Sequence, residues 1–190
     1  MRSPTLMSRG DSGLLVIDLQ EKLMPVINNS EKVLVQTILL VEGAKILGLP
    51  VLATEQYPKG LGPTMSELSQ RIPKPFEKLT FSCAAMPEVV DFFRKKNVGK
   101  ILLAGVEAHV CVLQTALDLM NEGFKVFIAV DAVGSRQELD RETALKRMQS
   151  AGVVLTTAET ALFEWAEKSG TPEFKLVSQL VVKGVPKSAP

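Results

Sequence analysis

The thiol of Cys111 stands where an apolar strand-like run passes into an amphipathic helix, in "LLAGVEAHVCVLQTALDLM", Leu102 to Met120. The first turn of a helix has amide groups without backbone partners, and the helix dipole adds partial positive charge there. A thiolate in that place is stabilised, and its pKa falls from about 8.5 into a reactive range. Cysteine is also among the residue types most often buried, and Val112, Leu113 and Ala116 make this an apolar helix. Nucleophile and core filler are therefore both open from position alone. Cys83, in "TFSCAAMPE", reads as filler of core or loop. His109 is the only histidine. Residues two apart on a helix do not face each other, so His109 serves Cys111 only if the helix begins after it. It reads as a helix-start or substrate-contact residue, or as a plain packed or solvated one. One histidine and two distant cysteines do not supply a zinc ligand set.

Two charged residues sit where charge is costly. Asp18 follows "LLVI" directly, at the carboxyl end of a strand. A carboxylate there either caps a turn or, if buried, acts as a base with a raised pKa. Lys78, in "PFEKLTFS", lies between apolar stretches. It reads as the cationic partner of such a carboxylate or as a surface lysine beside Glu77.

Apolar runs of strand length alternate with segments of helical period. The strands are "GLLVIDLQ", "PVLATEQ", "KILLAGV", "KVFIAVDAV" and "VVLTTAE". Between them, Val33, Ile38, Val41, Ala44 and Leu47 recur at near-helical spacing behind Ser30, a plausible N-cap. "MPEVVDFFRKKNV" has Pro87 in its first turn, "HVCVLQTALDLMNEGF" closes at Gly123, and "DRETALKRMQSAGV" runs from Asp140 to Gly152. Residues Tyr57 to Phe76 are rich in Pro and Gly, with a short helical piece at "TMSELSQRI"; both flanks read as core, so this is a site loop and not a linker. Near-continuous apolar strands separated by helices predict a parallel sheet of five to six strands inside a three-layer α-β-α sandwich, an α/β fold. Ligands in such sheets bind beyond the carboxyl ends of the strands. Those ends fall at Asp18, at Thr54 to Gln56, at Gly105 to Glu107, and at Asp131.

The 190 residues, 46% hydrophobic and 23% charged, suit one domain over residues 13–182, with tails expected over 1–12 and 183–190. The formal charge of +1 gives no basic surface for nucleic acid, and the apolar runs are too short to span a bilayer. Two cysteines make no disulfide framework and point to a reducing compartment, cytoplasmic, with mitochondrial association also open. The late apolar residues Leu162, Phe163, Trp165, Leu176, Leu180 and Val181 either cover the core or form a subunit interface.

"LLVIDLQ", "FEKLTFS" and "GVEAHVCVLQTALD", in that order, resemble the isochorismatase-like cysteine hydrolase superfamily, over Gly13 to about Leu180. "TEQYPKGLGPT", "DAVGSR" and "RMQSAGVVLTT" look most like its small isochorismatase-domain subgroup, one member of which is named a mitochondria-associated ribonuclease. The resemblance implies a triad of Asp18, Lys78 and Cys111: Asp18 takes the thiol proton, Lys78 orients Asp18, and Cys111 attacks a carbonyl or related carbon. It also implies a cis peptide at Val106–Glu107, with the backbone N–H groups of Glu107 and Cys111 turned toward an oxyanion. Gln20, Glu55, Gln56, Tyr57, Phe81 and His109 would shape the pocket, and their mostly neutral or acidic character disfavours a polyanionic substrate.

Nicotinamidases of the superfamily bind a metal through an Asp and several histidines, which this chain lacks, so no cofactor is expected. The loop from Glu55 to Phe76 departs from isochorismatases proper. The expected partners are a small-molecule substrate and, by resemblance, further copies of the chain in a dimer or larger homo-oligomer. Three function classes follow: a cysteine hydrolase on a small amide or related substrate, a non-catalytic interaction protein that keeps the fold, and a ribonuclease. The last is disfavoured by one histidine, one tyrosine and near-zero charge.

Overall fold

Strand periodicity decides the architecture. Along the central strands alternate side chains point to opposite faces, and here both sets are apolar. Leu14, Val16, Leu102, Ala104, Phe127 and Ala129 join one core cluster. Leu15, Ile17, Ile101, Leu103, Val126 and Ile128 join the other. A sheet apolar on both faces must be covered on both. A computed structural model, which describes residues 2–184, shows how the chain does this.

Six strands form one all-parallel sheet: β1 (Ser12–Ile17), β2 (Val51–Gln56), β3 (Phe76–Lys78), β4 (Lys100–Val106), β5 (Lys125–Gly134) and β6 (Val154–Thr156). Their order is β3-β2-β1-β4-β5-β6. Helices α1 (Ser30–Leu47), α7 (Ala158–Ala166) and α8 (Pro172–Lys183) pack on one face. Helices α4 (Pro87–Lys95), α5 (Leu113–Asn121) and α6 (Glu138–Ala151) pack on the other. Two short helices, α2 (Pro58–Leu61) and α3 (Ser66–Ser69), lie in the loop after β2. The expected α/β sandwich is present, with six strands. The edge strand β3 is too short, at three residues, to announce itself by periodicity.

The chain runs outward from β1 in one direction through β2 and in the other through β4, so the strand order reverses between β1 and β4. In such sheets a crevice opens at that reversal, beyond the strand ends. Gly105 makes the close approach there. Its φ is +129°, and a Cβ added to it would lie 2.0 Å from the carbonyl oxygen of Ile17. Only glycine fits this backbone contact.

Several local expectations change. Asn29, at φ 54°, precedes α1 in the position expected for Ser30, which is already helical; Asn tolerates the left-handed turn better than Ser. Helix α6 begins at Glu138, two residues before Asp140. Strand β5 continues past Asp131 to Gly134 through a register shift opposite Leu103 and Gly105, and the Asp131 carboxylate accepts from the Ala158 amide at the start of α7, 2.9 Å. The expectation of a tail over 1–12 does not hold for residues 2–11. Met7 is fully buried, its amide donates to Glu164 Oε2 at 2.7 Å, and Arg2 donates to the Glu164 carbonyl at 2.6 Å. One apolar side chain and two charge-assisted bonds anchor the segment to α7. Residues 185–190 of the expected C-terminal tail lie outside the described residues, and residues 183 and 184 still close α8. Of the late apolar residues, Leu162, Trp165 and Leu180 cover the core, while Phe163 and Leu176 remain exposed. Among the described residues no helix is long and apolar enough to cross a membrane.

Candidate active site

Four strand ends deliver the polar residues of the crevice. Asp18 follows β1 in a left-handed turn at φ 54°. Ile17 pairs with Thr54 of β2 on one side and with Gly105 of β4 on the other. Gln56 of β2 pairs with Lys78 of β3. After β4 the chain makes a turn of π-helix, Ala108–Val112, and then enters α5. The helix expected to start near His109 is therefore wider at its first turn, and Cys111 lies within that turn. The Val106–Glu107 peptide is cis, and the Val110 and Val112 amides both donate to the Glu107 carbonyl, at 3.1 and 3.2 Å.

The side chains of Asp18 and Lys78 are wholly removed from solvent and form an ion pair, Nζ to Oδ2 at 2.6 Å. Thr54 Oγ1 donates to the other carboxylate oxygen, Oδ1, at 2.8 Å. Lys78 Nζ also donates to Gln56 Oε1 at 2.7 Å. The carbonyls of Phe81 and Thr80 lie farther off, at 3.2 and 3.3 Å, and Cys111 Sγ at 3.6 Å. An ammonium has three hydrogens, so the two short contacts take two of them and the longer ones share the third. Lys78 Nζ is a shared neighbour of the Asp18 carboxylate and the Cys111 thiol. The structure thus brings Asp18, Lys78, Cys111 and Gln56 together.

Burial sets the charge states. It pushes the Asp18 carboxyl above its usual range, although Lys78, Thr54 and Cys111 all pull the other way. Burial also works against charge on Lys78, but the Asp18 carboxylate and the two nearby thiols outweigh it and raise its pKa. The Cys111 thiol is pushed up to about 12, first by burial and then by the Asp18 carboxylate, against the opposing pull of Lys78. This corrects the expectation of a lowered thiol. A helix-start dipole favours a thiolate, yet Cys111 is 6% exposed and faces a carboxylate. The resting thiol is protonated.

The remaining expected pocket residues divide. Gln20 is fully buried and braces the loop after β2: its amide donates to the Gly62 carbonyl at 2.7 Å and the Gln56 carbonyl at 3.0 Å, and its carbonyl accepts from the Gln56 amide at 2.7 Å. Glu55 holds the same loop, accepting from the Thr64 amide and hydroxyl, both at 2.6 Å. Tyr57 and Phe81 stand half-exposed at the rim. Tyr57 lines a cleft of about 350 Å³ with Pro58, Lys59, Glu77, Lys78 and Leu79; Asp18 and Cys111 are not among its walls. His109 pairs its Nδ1 with Ser135 Oγ at 3.0 Å. The Glu107 side chain turns to Arg136, 3.0 Å.

Two residues with no site role expected from the sequence, Thr54 read as a strand end and Cys83 as filler, lie beside this group. Thr54 meets Asp18, and Cys83 Sγ lies 3.6 Å from Thr54 Oγ1. The available signal was a hydroxyl in the otherwise apolar run "VLAT", since a buried polar group needs a partner.

Comparison with known proteins places the fold. The Isochorismatase domain family matches residues 12–160. Isochorismatase domain-containing protein 2 of Bos taurus is 38% identical over 180 residues, covering 94% of this chain and 87% of the relative. The structure described as MAR1 ribonuclease from Caenorhabditis elegans superposes with a TM-score of 0.89 at 38% identity, covering 98% of each chain. The YcaC gene product of Escherichia coli, described as an octameric hydrolase of unknown specificity, superposes with a TM-score of 0.81 at 26% identity, covering 88% of this chain and 85% of that one. With a family match over most of its length and relatives alike from end to end, the chain belongs to the isochorismatase family.

Proposed function

We propose that the protein is a cysteine hydrolase that acts on a small amide or a related carbonyl substrate through a covalent thiol intermediate. The observation that carries this reading is the contact of three buried groups of complementary chemistry. Lys78 Nζ lies 2.6 Å from Asp18 Oδ2 and 3.6 Å from Cys111 Sγ. Membership of a family of hydrolases supports it.

The steps follow from the protonation states. Asp18 removes the Cys111 proton as Sγ attacks the substrate carbonyl carbon. Lys78 keeps the Asp18 carboxylate ionised and oriented before that transfer. The backbone N–H groups of Glu107 and Cys111 are assigned to the oxyanion of the tetrahedral intermediate; one such donor is typically worth on the order of 3 kcal/mol. As the C–N bond breaks, protonated Asp18 gives its proton to the departing amine. Asp18 then takes a proton from water as that water attacks the thioester; the C–S bond breaks, the acid product leaves, and Asp18 returns the proton to the Cys111 sulfur. Tyr57, Phe81 and His109 are assigned to the substrate side of the crevice. The octameric description of the E. coli neighbour supports a homo-oligomer for this chain as well.

A second reading is an interaction protein that keeps the fold without turnover. The 6% exposure of Cys111 and its raised thiol pKa favour it. A ribonuclease reading, carried by the description of the C. elegans neighbour, has less support, because the only histidine is bonded to Ser135 and the net charge is +1.

A screen of amides, esters and imines with intact-mass detection tests the leading reading. A covalent adduct that accumulates on the wild-type protein and vanishes with Cys111→Ala is expected. Turnover that survives Cys111→Ala contradicts the thiol mechanism, and no Cys111-dependent signal across the screen favours the second reading.

A further inference from the structure

We propose that Thr54 is a positioning residue for Asp18, and that Cys83 holds the Thr54 hydroxyl in its donating sense. The proposal rests on the reading of Asp18 as the base.

A chain of contacts across four segments carries it. The Cys83 amide donates to Thr115 Oγ1 on α5, 2.9 Å, which fixes the thiol beneath β2. Cys83 Sγ lies 3.6 Å from Thr54 Oγ1, and Thr54 Oγ1 lies 2.8 Å from Asp18 Oδ1. Thr115, Cys83 and Asp18 are fully buried and Thr54 is 1% exposed, so water does not compete for these bonds.

The direction of the chain follows from counting hydrogens. An ionised carboxylate only accepts, and a hydroxyl has one proton to give. The Thr54 proton therefore goes to Asp18, and the Thr54 oxygen is left as an acceptor. Cys83 supplies the donor. Its thiol is pushed up to about 11, first by burial and then by the Asp18 carboxylate, so it stays protonated at neutral pH. The order is Cys83 S–H to Thr54 O–H to Asp18 Oδ1. Lys78 holds the opposite oxygen, Oδ2, at 2.6 Å.

Held at both oxygens, the carboxylate cannot swing about its last torsion. The groups that face Asp18 and can titrate or carry charge are Lys78, Cys111 and Cys83; Thr54 is the neutral donor among them. A valine would fill the same space, so shape alone does not call for threonine here. Its hydroxyl has one evident use, which is to favour the ionised, base-competent form of Asp18 in a site where burial opposes that form.

The test compares wild type, Thr54→Val, Thr54→Ser and Cys83→Ala. Two titrations are followed: the Asp18 carboxyl carbon by 13C NMR, assigned with Asp18→Asn, and the rate of Cys111 alkylation by iodoacetamide against pH. Thr54→Val should move the Asp18 midpoint upward by about one pH unit, the loss of one donor to a charged group. The acid limb of Cys111 alkylation should move with it. Thr54→Ser should restore both, and Cys83→Ala should move both upward by less. An unmoved midpoint in folded Thr54→Val overturns the proposal, as does a Thr54→Ser midpoint displaced as far as that of Thr54→Val. If Thr54→Val does not fold, an unmoved Asp18 midpoint in Cys83→Ala overturns it instead. Absence of any Cys111 adduct in wild type counts against the hydrolase reading, while the Asp18 carbon titration still decides the role of Thr54.

Discussion

Lys78 Nζ lies 2.6 Å from Asp18 Oδ2, and neither side chain has any surface in contact with solvent. A pair buried this deeply is costly to desolvate, and breaking it by removing one partner leaves an uncompensated charge. Lys78→Met should therefore lower unfolding free energy by about 3–5 kcal/mol. The double variant Asp18→Leu with Lys78→Met should be more stable than Lys78→Met alone. Urea denaturation of the wild type, the two single variants and the double variant checks this. Additive losses would show that the two charges do not depend on each other.

Gly105 is the tightest backbone contact of the site. An added Cβ would sit 2.0 Å from the Ile17 carbonyl oxygen, at a φ of +129°. Gly105→Ala should destabilise the fold by more than about 1 kcal/mol, because both the contact and the backbone conformation reject it. It should also displace Asp18, the residue after Ile17. Thermal melting reports the first effect and Cys111 alkylation the second. A variant with an unchanged melting temperature contradicts this account of the β1–β4 contact.

Gln20 is the internal brace of the loop after β2, with all its amide atoms bonded to backbone. Gln20→Leu leaves the Gln56 amide and two carbonyls without that partner. A loss of about 2–3 kcal/mol is expected. Faster amide hydrogen exchange over residues 56–64 should accompany it. Exchange that rises evenly over the whole chain would point to global destabilisation and not to a brace.

The stability of the fold should fall on the alkaline side. The Cys111 thiol is raised from 9.0 to about 12 by burial and the Asp18 carboxylate, and the Cys83 thiol from 9.0 to about 11 by the same causes. A raised folded pKa means that the folded state holds the proton more tightly. The contribution of each thiol is present in full below pH 9.0 and is lost as pH rises through the folded value. Lys78, also raised, acts in the same sense at still higher pH. Melting temperature should drop steadily above pH 9.0, and Cys111→Ser should make the drop shallower. An equally steep drop in Cys111→Ser would contradict the raised thiol.

How far the sequence could be read depended on the range of the interactions. The α/β sandwich was legible because strands such as "LLVI" and "ILLAGV" are apolar on both faces, a local property. The carboxyl ends at Asp18 and Gln56 were legible for the same reason. That Lys78 meets Asp18 was one of two readings of the residues, beside a surface lysine, and the resemblance chose between them, since the two are 60 residues apart and β3 is too short to show a period. Thr54 read only as a strand end and Cys83 as filler because a hydroxyl and a thiol fit apolar surroundings; the contacts of Thr54 with Asp18, 2.8 Å, and of Cys83 with Thr54, 3.6 Å, distinguish them from filler. The thiol shift was misjudged because the helix-start argument is local, whereas the burial and the carboxylate that reverse it are assembled through space. The anchoring of residues 2–11 rests on Met7 and on Glu164, at opposite ends of the chain.

The central claim is that Cys111 is the nucleophile and Asp18 its base. Iodoacetamide labelling at neutral pH, with peptide mapping of both cysteines in wild type and Asp18→Asn, tests it most directly. The account predicts that wild-type protein carries the label on Cys111 and that Asp18→Asn slows this labelling at least tenfold, by about 1.4 kcal/mol or more in barrier. Preferential labelling of Cys83 with Cys111 inert, or a Cys111 rate indifferent to Asp18→Asn, would contradict it.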